Sequence, residues 1–519
     1  MSSSATTPAT PVQPRRAVRA AVGLCSAALA LAVGHLASVV SGAGSSPAVV
    51  VGSQLVDAAP TPVKTVVVAL LGTADKPVLV GGVVAATLLL GAVLGLQAWR
   101  RPRLANLGIL AIGAVGAVVA LTRPELGAPG AVPSLLAVLT GLVALPLLVR
   151  ATTPRPDPGG DPVGPGRRRV LAAVGGSAVV VALAAGGGTL LSQLARAGDA
   201  ARRMISLPRP ASPAPPLPAA VQVPGSTPFT TPTEDFYRID IALVVPRHQA
   251  EGWTLTVDGE VERPLTLSYA ELLALPMIER DITLTCVSNE VGGPYVGTAR
   301  WLGVPLGDLL SRVGIRPGAD MLLSHSLDGG YTASTPLAAV TDGRDAMVAV
   351  GMNGQVLPDK NGFPARMVVP GLFGYVSATK WLSRLEVTRF AAQTAYWTHR
   401  GWAEQGPILT QARIDVPVSL GTLPADRPVL AGVAWAQHRG IDKVEIRVDG
   451  GPWQETTLAA EASTDTWRQW SYVYDGPPGR HTAEVRATDR TGETQPESRR
   501  PVFPAGATGW HTIRFTVTG

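Results

Sequence analysis

Cys286 is the residue in this 519-residue chain whose type and setting point most directly to chemistry. The chain has two cysteines. Cys25 lies in an apolar run and Cys286 far away in the polar half, so a disulfide between them is not expected. Secreted domains commonly use cysteines as staples, and a single thiol cannot serve that purpose. The run Asp281-Ile282-Thr283-Leu284-Thr285-Cys286 is β-type and stops at the cysteine. Val287 to Gly293 after it reads as a loop. Sulfur at a strand end, facing a Gly-containing loop, is well placed to reach a cavity. A lone cysteine is more often a small buried apolar residue, so its surroundings must decide.

Two blocks carry that decision. Thr283 to Asn289 is followed by Gly297-Thr298-Ala299-Arg300-Trp301-Leu302-Gly303-Val304-Pro305-Leu306. Further on stand Met352-Asn353-Gly354-Gln355-Val356-Leu357-Pro358, Asn361-Gly362-Phe363-Pro364-Ala365-Arg366, Val368-Val369-Pro370-Gly371 and Lys380-Trp381-Leu382. In order and spacing these blocks resemble the sulfite oxidase family around its molybdenum site, over roughly 233–519. The resemblance implies a pterin whose dithiolene holds molybdenum, with Cys286 as the protein thiolate. A soft thiolate suits such a metal, which removes the thiol proton outright. It further implies that Arg366 and Lys380 contact the pterin and its phosphate, as a bidentate clamp and a point charge. Asn361, Tyr237, Arg238 and Asp328 match other pterin contacts, and Ala378 and Thr379 would contribute mainly backbone.

The departures concern substrate. Animal and plant sulfite oxidases carry basic residues after the cysteine, where this chain has Glu290 and Val291. The family's active-site tyrosine is replaced, with Trp402 the nearest match. Arg238, His325, Tyr331, Tyr375, His399 and Trp402 are candidates for the substrate mouth, with Arg238, Tyr331 and Trp402 joining Cys286 as expected catalytic residues. A lone histidine is more often structural, which weighs against His325 and His399.

These residues need a scaffold. From about Thr233 the texture is globular. Trp253 to Val257 alternates like a strand and runs into Asp258-Gly259, which reads as a turn. Tyr269 to Leu275 reads as a short helix, with Ser268 and Glu271 forming a capping box. From about 405 the chain reads as all-β. Val444, Ile446 and Val448 alternate before Asp449-Gly450-Gly451, and Ile513, Phe515 and Val517 repeat the period of two. An immunoglobulin-like sandwich is expected there, and the resemblance implies a role in dimerisation.

The first 200 residues differ in kind. Charged residues are only 16% of the whole chain and apolar ones 46%, and the apolar excess lies here. Five uncharged stretches are long enough to span a bilayer, which takes about 20 residues. They lie between Arg19 and Asp57, Lys76 and Arg100, Arg103 and Arg123, Glu125 and Arg150, and Arg169 and Arg196. Arginines cluster before the first, between the second and third, and between the fourth and fifth. The positive-inside rule then puts the N-terminus in the cytoplasm and all that follows the fifth span outside. These arginines are topology signals rather than a nucleic-acid patch, despite a net charge of +6. His35 is the sole ionisable group inside a span, which argues against a transporter or a haem site. Arg167-Arg168-Arg169 before the fifth span looks like a twin-arginine export signal.

The expected architecture is therefore multi-domain. Residues 1–204 form a five-helix membrane anchor, 205–232 a Pro-rich linker, 233–404 an α+β molybdopterin-binding domain and 405–519 an all-β sandwich. The expected function is oxo transfer at molybdenum to or from a small substrate, at a cell membrane. Lipid, a separate quinone or cytochrome as electron carrier, and a second copy of the chain are the expected partners. The alternative is a membrane-tethered binding or sensing module without metal.

Overall fold

The computed structural model describes residues 13–153 apart from 42, 124–125 and most of 61–73, the pairs 155–156 and 162–163, Arg202, and residues 204–518 apart from 328–329. The chain divides into two compact units. Residues 1–199 with 242–246 form the first, and 200–241 with 247–519 the second.

In the first unit α1 (Arg16–Ser41), α2 (Pro47–Ala58), α3 (Asp75–Gln97), α4 (Pro102–Leu121) and α5 (Val132–Thr152) follow one another. Four of these, all but α2, are long and apolar enough to cross a membrane. The hydrocarbon core takes about 20 helical residues, and the 12 of α2 fall short. Helices in lipid gain little from the hydrophobic effect and associate where small residues let backbones approach. Gly23 on α1 shows this, since a Cβ there would strike the backbones of Gly91 and Gly95 on α3. The sequence anticipated α1 and α3 to α5. It did not anticipate α2, which occupies the remainder of the long first uncharged stretch. The fifth stretch and the Arg167-Arg168-Arg169 motif lie outside the described residues.

The second unit opens with four strands. These are β1 (Thr254–Gly259), β2 (Leu265–Ser268), β3 (Ile278–Thr285) and β4 (Val296–Pro305). Then come β5 (Met321–Ser326), β6 (Thr332–Pro336), β7 (Met347–Met352), β8 (Gln355–Val356), β9 (Arg366–Val368) and β10 (Leu382–Thr388). They make two sheets, one ordered β8-β7-β4-β3 with β9 also on β7, the other β2-β1-β10-β5-β6. Strand β7 is buried along its whole length, because its sheet is covered on both faces there, and it reads as a continuous apolar run. The helix expected from Tyr269 is present as α6 (Tyr269–Leu273), with both hydrogen bonds of its capping box. The expected turn at Asp258-Gly259 is instead the end of β1, where Gly259 takes a positive φ.

The C-terminal part holds two facing sheets. One is β11 (Gln411–Val416), β13 (Val429–Trp435), β17 (Arg468–Val473) and β16 (Thr457–Leu458), in that spatial order. The other is β12 (Thr422–Pro424), β19 (His511–Thr518), β18 (Gly479–Asp489), β14 (Ile441–Val448) and β15 (Gln454–Glu455). Trp470, Val444, Ile446, Val485 and Phe515 from both sheets share one core. That follows from the period-two alternation read in the sequence.

Two devices fasten this β-region to the strand that ends at Cys286. Thr283 donates its backbone N–H to Asp465 at 2.9 Å, and its hydroxyl receives the Trp467 N–H at 2.7 Å. Gln437 donates to the Thr283 carbonyl at 3.1 Å and to the Thr285 hydroxyl at 2.9 Å. The Pro-rich stretch 205–232, read as a spacer, is bound to the second unit. Ala211 donates to Met277 at 2.8 Å, Thr231 donates to Thr298 at 2.8 Å, and Phe229 is buried. Its prolines supply few donors, and its apolar residues find cover on the domain instead of water.

Candidate active site

Cys286 follows β3 directly. Strands β3 and β4 are antiparallel neighbours from Thr285↔Val296 to Ile278↔Gly303, so residues 286–295 form the loop joining them. Asn289 sets the shape of that loop. Its side-chain carbonyl accepts the Tyr295 N–H at 2.7 Å, and its backbone N–H donates to the Cys286 carbonyl at 3.1 Å. Cys286 donates its own N–H to Tyr295 at 2.9 Å, and its sulfur accepts the Ser288 N–H at 3.4 Å. The sulfur lines a cavity of about 120 Å³. Burial raises the thiol pKa, with Ser288 and the nearby Lys380 charge opposing that rise.

Arg366 begins β9, held opposite Ala349 of β7. Lys380 lies between a short helix, α7 (Gly374–Ser377), and β10. The two cationic segments approach through Gly362. Its φ is 110°, and a Cβ there would lie 3.0 Å from the Lys380 Cβ and 3.1 Å from the Arg366 Cβ. Only glycine meets both conditions cheaply. Trp381, with φ at 52°, is also left-handed. Its indole N–H donates to the Asp359 carbonyl at 2.9 Å and its carbonyl accepts Leu327 at 2.6 Å. These contacts hold a conformation that costs an aromatic residue on the order of 1 kcal/mol.

The electrostatics of this wall are unusual. Arg366 is buried, and its guanidinium reaches three main-chain carbonyls: Asn361 at 3.1 Å, Ala378 at 3.3 Å and Met367 at 3.4 Å. No carboxylate pairs with it among the described residues. Burial lowers its pKa to about 10. Lys380 is pushed down to about 8 by burial, against the pull of Asp240 at 2.9 Å and with Arg366 adding repulsion. Two adjacent buried cations facing a cavity are costly unless an anion joins them. The Oδ1 of buried Asn361 and the indole N–H of buried Trp402 also lack partners among the described residues. A thiol, a buried guanidinium with no carboxylate among the described residues, a lysine that shares its one carboxylate with Arg238, a spare acceptor and a spare donor fit a phosphate-bearing pterin that carries a soft metal.

Among the expected site residues, Cys286, Tyr237, Tyr331, Arg366, Ala378, Lys380 and Trp402 line the one cavity. Burial raises the Tyr237 phenol well above its usual range, so it is a neutral donor. Tyr331 donates to the Tyr375 carbonyl at 3.0 Å. Three others sit behind the wall. Asn361 reaches it through the carbonyl that Arg366 binds. Thr379 is buried and its hydroxyl meets Ser324 at 2.7 Å. Arg238 is held by both carboxylate oxygens of Asp240, at 2.8 and 3.0 Å. Asp328 lies outside the described residues. Of the remaining mouth candidates, Tyr375 lines the cavity. His325 does not, and it pairs instead with Glu386 at 3.1 Å in the β5–β10 sheet. His399 is likewise absent from the lining, and Glu290 is exposed on its loop.

Sequence reading missed Asp240, Asn289, Trp397 and Gly362. Asp240 carries a usable signal, since two residues from Arg238 in an extended segment puts both side chains on one side. Asn289 has the character of an Asx turn after a strand.

Comparison with known proteins agrees with this geometry. Residues 242–397 match the family described as oxidoreductase molybdopterin binding domain. Mitochondrial sulfite oxidase of Rattus norvegicus is 28% identical over 340 residues, which is 56% of this chain and 62% of that one. The NADH nitrate reductase of Solanum lycopersicum is 28% identical over 320 residues, 49% of this chain and 35% of its own. The sulfane dehydrogenase SoxCD structure from Paracoccus pantotrophus shares 23% identity, with a TM-score of 0.48 over 55% of this chain and 82% of that one. The chain thus spans less than two thirds of the curated relatives' length. The cavity with its cysteine and paired cations sits in a molybdopterin-binding oxidoreductase domain. Within that class the chain is similar to sulfite oxidases and nitrate reductases, and the matching domain implies molybdenum held by molybdopterin as the cofactor.

Proposed function

We propose that this chain is a membrane-anchored molybdenum-dependent oxidoreductase that moves an oxo group to or from a small substrate. The observation that carries this reading is Cys286 lining the same cavity as buried Arg366 and the mostly buried Lys380. Bound molybdenum supplies the two-electron chemistry, and the polypeptide supplies orientation, charge and access. Arg366 and Lys380 would hold the pterin phosphate, and Asn361 and Tyr237 would offer the pterin ring an acceptor and a donor. Arg238 fixes Asp240 from behind, while Ala378 and Thr379 shape the backbone beneath. Tyr331, Tyr375 and Trp402 line the cavity with aromatic surface and would bound the approach of a substrate.

The four apolar helices anchor the chain, with the uncharged stretch between Arg169 and Arg196 as a proposed fifth span and the N-terminus in the cytoplasm. The catalytic domain then lies on the extracytoplasmic side, exported through the Arg167-Arg168 signal. The facing C-terminal sheets act as an immunoglobulin-like dimerisation domain. Electrons leave to a separate quinone or cytochrome. Elemental and pterin analysis of the purified chain tests the central reading, with one molybdenum expected per chain. Cys286→Ala is expected to remain folded and to lose redox activity. A wild-type chain free of molybdenum, or turnover retained in Cys286→Ala, overturns the reading in favour of a tethered binding module.

A further inference from the structure

Thr283 ties the strand before Cys286 to the C-terminal sheets, and the loop after Cys286 is tied to them as well. Arg413 on β11 donates from Nη1 to the Gly293 carbonyl at 2.8 Å. Its Nε and Nη2 are committed to the two carboxylate oxygens of Asp415, at 2.5 and 3.3 Å. Both side chains are mostly buried, at 11% and 10% exposure. They stand two apart on one strand and so share a face. A side-on hold on a planar guanidinium fixes where its third nitrogen points. Asp415 is set in turn by the Pro-rich strap, since the Thr227 hydroxyl donates to its Oδ2 at 2.7 Å. His511 of β19 closes the other side of the loop. Gly292, at a φ of 79°, lies so near that a Cβ there would be 2.3 Å from the imidazole ring. Within the loop Gly293 donates to the Glu290 carbonyl at 2.8 Å, and Asn289 donates to the Cys286 carbonyl at 3.1 Å. A row of bonds thus runs from Thr227 through Asp415 and Arg413 to the loop that opens with the cysteine.

We propose that Arg413 is a positioning residue for Cys286: from the C-terminal sandwich it clamps the 286–295 loop by the Gly293 carbonyl, with Asp415 and Thr227 aiming it. The role assigned to Cys286 rests on the reading of the cavity as a molybdopterin site. A metal ligand is only as well placed as the groups that hold its own segment, and such supporting residues govern how firmly a metal stays bound. The loop has few other anchors of its own. Glu290 is exposed, and the bonds from Gly293 to Glu290 and from Asn289 to Cys286 close only within the loop. A charge-assisted bond from a mostly buried guanidinium is the strong kind. Its loss lets the loop open locally while the sheets beneath stay closed. The sandwich is then part of the site, although it contributes no residue to the cavity lining.

The test uses the purified full chain in detergent and reads amide hydrogen exchange of the 286–295 loop, with β13 as the internal reference. Arg413→Met is expected to speed exchange in the loop at least tenfold and in β13 less than twofold. Thr227→Val removes only the hydroxyl that steadies Asp415, and it is expected to speed the loop about threefold. Being a milder change, it decides the matter if Arg413→Met does not fold. Arg486→Met serves as the control. It breaks a comparable ion pair, with Glu445 at 3.0 Å, on the face of its sheet opposite His511, and should leave the loop within twofold of wild type. The second readout is alkylation of Cys286 by iodoacetamide in cofactor-free full chain, followed by peptide mass so that Cys25 is counted separately. Arg413→Met should react at least tenfold faster than wild type. Unchanged loop exchange in both Arg413→Met and Thr227→Val overturns the inference, as does an equal change in Arg486→Met or an unchanged alkylation rate in Arg413→Met. Molybdenum and pterin are measured on wild type separately. A chain with neither overturns the molybdopterin reading, whereas the exchange and alkylation rates still decide whether Arg413 holds the cysteine loop.

Discussion

Replacing Arg366 by Met should separate the cost of building the site from the benefit of filling it. The guanidinium is buried and paired only with main-chain carbonyls. Its pKa falls to about 10 from an ordinary 12.5. At about 1.4 kcal/mol for each tenfold change in proton affinity, keeping it charged costs the cofactor-free protein about 3 kcal/mol. Methionine fills similar volume with no charge, and such exchanges of buried ions are often neutral or stabilising. The three hydrogen bonds it forfeits are long, and their loss returns about 1 kcal/mol of the gain. Cofactor-free Arg366→Met should therefore be about as stable as wild type or up to about 2 kcal/mol more stable. Loaded protein should behave in the opposite way. Losing a bidentate cation at a phosphate costs at least about 3 kcal/mol, or roughly a hundredfold in retention. The assay pairs thermal denaturation of cofactor-free protein with molybdenum and pterin content after gel filtration. A variant that is markedly less stable when empty, or that keeps its full cofactor content, refutes the reasoning that Arg366 is a strained cation waiting for an anion.

Other outcomes are as definite. Thr283→Val keeps the shape of the side chain but removes the oxygen that receives Trp467 at 2.7 Å and meets the Thr298 hydroxyl at 2.5 Å. Leaving these donors buried and unmet should cost about 2 kcal/mol, read from the denaturant midpoint of the purified chain. His511 accepts the Ile414 N–H at 3.0 Å, and burial with the Arg413 charge lowers its pKa to about 4. The unfolded ring binds a proton near pH 6.5 and the folded one does not, so stability should fall as pH drops from about 6.5 to 4, by about 2 kcal/mol. His511→Gln should flatten that part of the stability profile, and an unchanged slope refutes the assignment. Changing Arg167 and Arg168 to Lys should leave the catalytic domain on the cytoplasmic side, checked by protease accessibility from outside the cell. Unchanged accessibility counts against export by that route.

The chain's own order of residues settled the local features. A strand stopping at Cys286, the capping box at Ser268 and Glu271, the apolar helices and the alternating C-terminal strands all depend on neighbours in sequence, and periodicity displays them. Cys286, Arg366 and Lys380 stood out as candidate site residues because their flanking blocks resemble a family, not because spacing alone revealed them. Tertiary structure decided what spacing cannot express. Asn289 shapes the cysteine loop through a bond to Tyr295, Gly362 lets two cations from different segments approach, and Asp240 joins Arg238 to a lysine 140 positions away. Arg238, expected to contact the cofactor, is held by the Asp240 carboxylate, a pairing that spacing did not announce. The Pro-rich stretch 205–232 looked like a spacer and is a strap, because its apolar residues are covered only once the domain has folded. Local periodicity reports which face of an element seeks burial, whereas the charge a buried group meets depends on segments that only the folded chain brings together.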